Sequence, residues 1–171
     1  MVKGEWGFTL IEMLIVIGVM AILIGIGALS YTNMQQRYNV ERQVKQMYTE
    51  LMNARLRAVQ RDRMHFVTFP TLTSTSYSVY EDGPPPDGDG LFTTATDSLV
   101  SQNVLLASYS AVLSNASLTL VQFTSKGLLS ASTPTGYIRI TPTAGGEYDC
   151  VFIDQIKTGM GQWNGVQCII K

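Results

Sequence analysis

Apolar and polar positions divide this chain into three stretches with different periods. From Phe8 to Tyr31 the sequence FTLIEMLIVIGVMAILIGIGALSY is almost wholly apolar, and its one charged side chain is Glu12. As a helix rising ~1.5 Å per residue, this run would extend about 36 Å, enough to cross a hydrocarbon layer of ~30 Å. From Asn33 to about Arg63 there is no proline or glycine, and Val40, Val44, Met47, Leu51, Ala54 and Ala58 recur at steps of four and three. That spacing predicts an apolar stripe on a continuing helix, with Arg42, Lys45, Arg57 and Arg61 turned largely away from it. Beyond Met64, short β-rich runs alternate with Ser, Thr, Gly and Pro joints. Candidate strands are residues 65–69, 77–80, 118–123, 137–141, 150–156 and 166–170. In Tyr137-Ile138-Arg139-Ile140-Thr141 the two isoleucines would face inward and Arg139 outward. The expected fold class is α+β. A long helix, membrane-spanning over 8–31 and amphipathic over 32–64, packs on an antiparallel β-rich head over 65–171.

The apolar run raises two questions, what removes or keeps it and what Glu12 does inside it. Three readings stand: a cleaved secretory signal with Ala28-Leu29-Ser30 as its cut site, an ordinary anchor, or an anchor that is also an assembly surface. A carboxylate at full membrane depth costs on the order of 2.5–3.5 kcal/mol, which a disposable signal has no use for. Glu12 therefore either has a partner in the membrane or reaches the headgroups. Basic residues after the run would by themselves place the head in the cytoplasm. The two cysteines, Cys150 and Cys168, argue instead for an oxidising compartment.

Composition adds exclusions. With 171 residues the chain has the size of one domain, and its net charge of -1 excludes a polycationic coat or a polyacid. Only 15% of residues are charged, against ~25% in ordinary soluble domains, and mean hydropathy is +0.13. The charge is unevenly placed: residues 34–64 carry seven bases and three acids, and residues 65–171 carry four bases and eight acids. An acidic head argues against DNA as a partner. Catalytic chemistry is sparse, and nothing in the sequence calls for an enzyme or a cofactor. His65 is the single histidine, with no nucleophile motif near it, so it reads as structural or surface-exposed. Glu81-Asp82-Gly83-Pro84-Pro85-Pro86-Asp87-Gly88-Asp89-Gly90 invites a calcium reading, but Leu91, Phe92 and Thr93 stand where further oxygen ligands would be needed. A solvated turn is the expectation there, and no metal site is assigned. Asn115-Ala116-Ser117 matches a glycosylation sequon, and Trp163 is either a core anchor or an exposed contact.

Gly7-Phe8-Thr9-Leu10-Ile11-Glu12, followed at once by Met13-Leu14-Ile15-Val16-Ile17, closely resembles the class III signal of type IV prepilins and type II secretion pseudopilins. The resemblance implies cleavage between Gly7 and Phe8 by an inner-membrane prepilin peptidase and N-methylation of Phe8. It makes Glu12 the family's assembly glutamate, pairing with the terminal amine of a neighbouring Phe8. The partners so implied are other pilins or pseudopilins in a helical filament, the assembly platform, and membrane lipid before assembly. The implied location is the bacterial inner membrane with a periplasmic head, then a periplasmic or surface filament. Leu29 stands where many major pilins have a kinking proline, which favours a minor subunit. Within the head, Val121-Gln122-Phe123-Thr124-Ser125-Lys126-Gly127 and Ile156-Lys157-Thr158-Gly159 are similar to segments of the GspH/FimT group. Met160 and Gly161 replace the arginines that DNA-binding members carry after that last glycine. An exported head implies a disulfide between Cys150 and Cys168, two buried free thiols being the alternative.

Overall fold

The computed structural model describes residues 8–84, 88–143 and 145–171, apart from the side chains of residues 26–29. It divides into two compact units, Met1–Gln36 and Arg37–Lys171. One helix, α1, runs from Leu10 to Arg61. Thr9 caps its start: Thr9 Oγ1 accepts the Glu12 backbone N–H at 3.3 Å, and the Thr9 carbonyl accepts the N–H groups of Glu12 and Met13. At the other end Asp62 takes a left-handed conformation at φ 50, and the Arg63 N–H returns to the Ala58 carbonyl at 3.2 Å. That bond closes a Schellman-type stop.

In the first unit, every described side chain from Phe8 to Gly25 is exposed. The second unit holds the core. All six residues of the expected stripe, Val40, Val44, Met47, Leu51, Ala54 and Ala58, are at most 1% exposed. Arg42, Lys45, Arg57 and Arg61 are exposed, as the spacing predicted.

Among the described residues, ten strands complete this unit. They are β1 (His65–Thr68), β2 (Thr73–Ser74), β3 (Ser76–Glu81), β4 (Ser98–Val104), β5 (Ser110–Leu113), β6 (Leu120–Phe123), β7 (Gly136–Thr141), β8 (Cys150–Ile153), β9 (Thr158–Trp163) and β10 (Cys168–Ile170). They form two antiparallel sheets, ordered β4-β3-β1-β6 and β10-β9-β8-β7-β5-β2. Val67, Tyr77, Val79, Val121 and Phe123 of the first sheet share one core with Ala111, Leu113, Ile138, Ile140, Val151 and Ile153 of the second and with the helix stripe. The fold is therefore α+β, a long helix packed on antiparallel sheets. Ile138 and Ile140 are fully buried and Arg139 lies on the opposite face.

Several boundaries differ from the pattern-based expectation for local reasons. Residues 116–119 form a 3-10 turn because the half-buried Asn115 caps it, its Oδ1 accepting the Leu118 N–H at 3.2 Å. The run expected over 150–156 stops at Ile153. There Asp154 accepts the Thr135 hydroxyl and the Gln155 N–H, turning the chain. The last strand begins at Cys168, not Val166, because Asn164 Oδ1 ties down the N–H groups of Val166 and Gln167.

Candidate functional site

The N-terminal segment is a surface awaiting cover. From Phe8, 80% exposed, through Ile24, its large apolar side chains lie open to solvent in the isolated chain. Contiguous apolar surface on this scale marks contact with membrane or protein. Thr9 and Glu12 stand at the spacing of a capping box, so Glu12 also supplies a negative charge to the positive end of the helix dipole. Phe8 lies just before the capped first turn that carries Glu12, and Gly7 lies outside the described residues.

Cys150 and Cys168 form a disulfide, with Cα atoms 6.1 Å apart. It ties β8 to β10 across the intervening β9. A side chain at Gly161, which faces Cys150 across the β8–β9 ladder, would run into the Ile169 backbone and the Cys168 sulfur. Glycine is what lets the bridge pass over this strand. Met160 packs against the core, so Met160 and Gly161 both serve packing. On the outer face beside the bridge, Trp163 is half-buried: its ring lies 5.0 Å from that of Tyr137, and the Arg139 guanidinium sits over it at 4.7 Å. The Trp163 N–H donates to Asp149, 2.6 Å away. Burial raises the Asp149 pKa above its usual value; this hydrogen bond and the nearby Arg139 oppose the rise.

At the start of the acidic stretch one carboxylate turns inward, while Pro84, Gly88 and Asp89 are exposed. Asp82 is 5% exposed, and its Oδ2 accepts the Gly90 N–H at 3.2 Å. Asp97 accepts the N–H groups of Gly83 and Thr93. These carboxylates hold the loop by its own backbone, and among the described residues no group of three potential ligands is placed to hold a metal. Asp87 lies outside the described residues. Phe92, just after the loop, covers the outer face of β1, its ring 5.5 Å from Phe66 and 5.1 Å from Tyr80.

The acidic count of the head is consequently only in part a surface charge: Asp89 and Glu147 are exposed. Asp82, Asp97 and Asp149 are buried, and Glu81 is 16% exposed beside Arg61 and His65. His65 is completely buried in β1, its Nδ1 3.3 Å from the Arg63 carbonyl and its Nε2 3.7 Å from Glu81. Burial lowers its pKa below 6.5; the Arg63 carbonyl and Glu81 oppose this, and Arg57 and Arg61 add to it. Of the two readings for this residue, structural holds and surface-exposed does not.

The inward turn of Asp82, Asp97 and Asp149 left no signal in the local sequence, because backbone N–H groups from distant positions satisfy them. The Tyr137–Arg139–Trp163 row did leave one, the outward alternation of β7.

No protein-family model, curated protein or solved structure matches this chain.

Proposed function

We propose that this chain is a minor pilin, a non-enzymatic subunit of a type IV pilus or type II secretion filament that takes part in assembly or priming. The observation that carries the reading is the GFTLIE motif at the head of a long helix, apolar through its first half. Its apolar first half is exposed throughout the described side chains and holds a single carboxylate, Glu12, beside the capped start. Such a helix is compatible with lipid before assembly and with neighbouring helices after it. Cleavage at Gly7 would free the Phe8 amine, and Glu12 of an adjacent copy would then compensate a charge that is costly to leave alone in an apolar surrounding. The β-rich unit, closed by its disulfide, would present the surface that selects neighbours. A pseudopilin serving protein export is the closest alternative reading, and a DNA-uptake pilin or a signal-bearing secreted domain are the others. The disulfide loop and the absence of a proline at Leu29 favour the pilus reading.

Mass spectrometry of the N-terminus of protein recovered from its native host tests this directly. The expected product begins with N-methylated Phe8 and has 164 residues, seven fewer than the full chain. A terminus at Tyr31 would show a conventional secretory signal and overturn the proposal.

A further inference from the structure

The bases of α1 differ in what the structure already explains. Arg61 stands in the last turn of the helix, where a cation complements the helix dipole, and it faces Glu81 at 3.9 Å. Arg42 and Lys45 are mid-helix, where the dipole gives no reason for a base, and Lys45 has an ion-pair partner in Glu41. They share one face with Tyr38, at i, i+4 and i+7, and with Glu41 these residues line a cleft of about 170 Å³. Glu41 is held back from an incoming ligand: its Oε1 accepts the Glu147 N–H at 2.7 Å and its Oε2 lies 3.7 Å from Lys45. Lys45 also lies 5.6 Å from the centre of the Tyr148 ring, which sets the position of its ammonium. The remaining openings are a 66% exposed tyrosine hydroxyl and the exposed Arg42 guanidinium, both suited to the oxygens of a phosphodiester.

We infer that the Tyr38–Arg42–Lys45 cleft seats the headgroup phosphate of an anionic phospholipid, of the phosphatidylglycerol kind, while the subunit is stored in the membrane. The inference rests on the membrane reading of the Phe8–Tyr31 run. Two features select lipid over other phosphates. Tyr38 follows Tyr31, the end of the apolar run, by seven residues in the chain, in the stretch after a span where bases meet the charged lipid surface. The cleft also offers one guanidinium and one neighbouring ammonium, enough for a single phosphate, whereas a nucleic acid would need a track of bases. Leaving the membrane for a filament would then require this contact to be released.

The test uses the full chain in phosphatidylcholine nanodiscs and in nanodiscs containing phosphatidylglycerol, with bound lipid counted by native mass spectrometry. The wild type should retain phosphatidylglycerol over phosphatidylcholine, and Arg42→Gln should weaken that preference about fivefold, the effect of one charge near an anionic surface. Tyr38→Phe should weaken it less, and the Lys126→Gln/Lys157→Gln pair, which removes twice the charge of Arg42→Gln, should leave it unchanged. Equal retention of the two lipids by correctly inserted wild type overturns the inference. So does an equal loss in the Lys126/Lys157 control, which would reduce the effect to net charge. Displacement of the lipid by glycerol 3-phosphate or a DNA duplex at matched concentration overturns the lipid assignment in favour of that ligand. Failure to enter phosphatidylcholine bilayers at all sinks the membrane reading itself, and the cleft's role with it.

Discussion

Removing the disulfide by a Cys150→Ser/Cys168→Ser double substitution should destabilise the Arg37–Lys171 unit by about 3 kcal/mol. The bridge closes a loop with a sequence separation of 18 residues, and a loop of that length restricts the unfolded chain by ~3 kcal/mol on the chain-entropy estimate. Structure decides whether the full amount is felt. β10 has three residues and, at the edge of its sheet, pairs only with β9, so few ladder hydrogen bonds hold it. Cys150 is completely buried at the centre of the six-stranded sheet, and Cys168 is 8% exposed, so both sulfurs belong to packed surroundings. With roughly 135 residues in the unit and ~2.1 cal/mol/K per residue of unfolding entropy, the loss corresponds to a fall in Tm of about 10 °C. Urea denaturation followed by far-ultraviolet circular dichroism, on the full chain in detergent, measures the change. Because the effect acts mainly on the unfolded state, the m-value should rise when the bridge is absent. A loss below ~1 kcal/mol with unchanged m would refute the reasoning and show that β10 frays independently of the rest.

Leu51→Ala, in the centre of the buried helix stripe, should cost about 2–5 kcal/mol in the same denaturation assay, and Leu56→Ala, on an exposed position one and a half turns on, under ~1 kcal/mol. His65 is neutral in the fold and its pKa lies below 6.5, so its contribution is whole above pH 6.5. As pH falls below 6.5 the unfolded chain takes up a proton that the folded chain refuses. Stability should then drop by up to ~1.4 kcal/mol per pH unit until the folded pKa is passed. Urea midpoints measured from pH 7.5 to 5 check the slope, which His65→Gln should flatten. Glu12→Gln should leave the Tm of the β-rich unit unchanged and reduce recovery of the subunit in sheared filaments, read by immunoblot against total membrane protein. Equal recovery would remove Glu12 from the assembly step.

Local pattern carried the helix and its buried stripe completely. Steps of three and four name the same side chains whether or not the partner surface is known, because the 3.6-residue repeat is a property of the backbone alone. The same held for β7, whose strict alternation places Ile138 and Ile140 inward in any half-buried strand. It failed for β2, β4, β5 and β9, whose sequences TS, SLVSQNV, SAVL and TGMGQW are very short, carry few strand-favouring side chains or hold two glycines. These segments are strands because neighbours supply their hydrogen bonds, and in β9 because a bridge must pass over Gly161.

Charge shows the division most plainly. The sequence by itself determined an apolar span with one acid, a stem rich in bases and a head rich in acids, since those are properties of order along the chain. Only the tertiary structure decided which of those charges reach the surface. Asp82, Asp97 and Asp149 turn inward because backbone N–H groups brought from Gly90, from Gly83 and Thr93, and from Trp163 satisfy them. Arg42 and Lys45 stay outside because their side of the helix faces no sheet. Burial of a carboxylate depends on donors that arrive from elsewhere in the chain, and no count of residues records where they arrive.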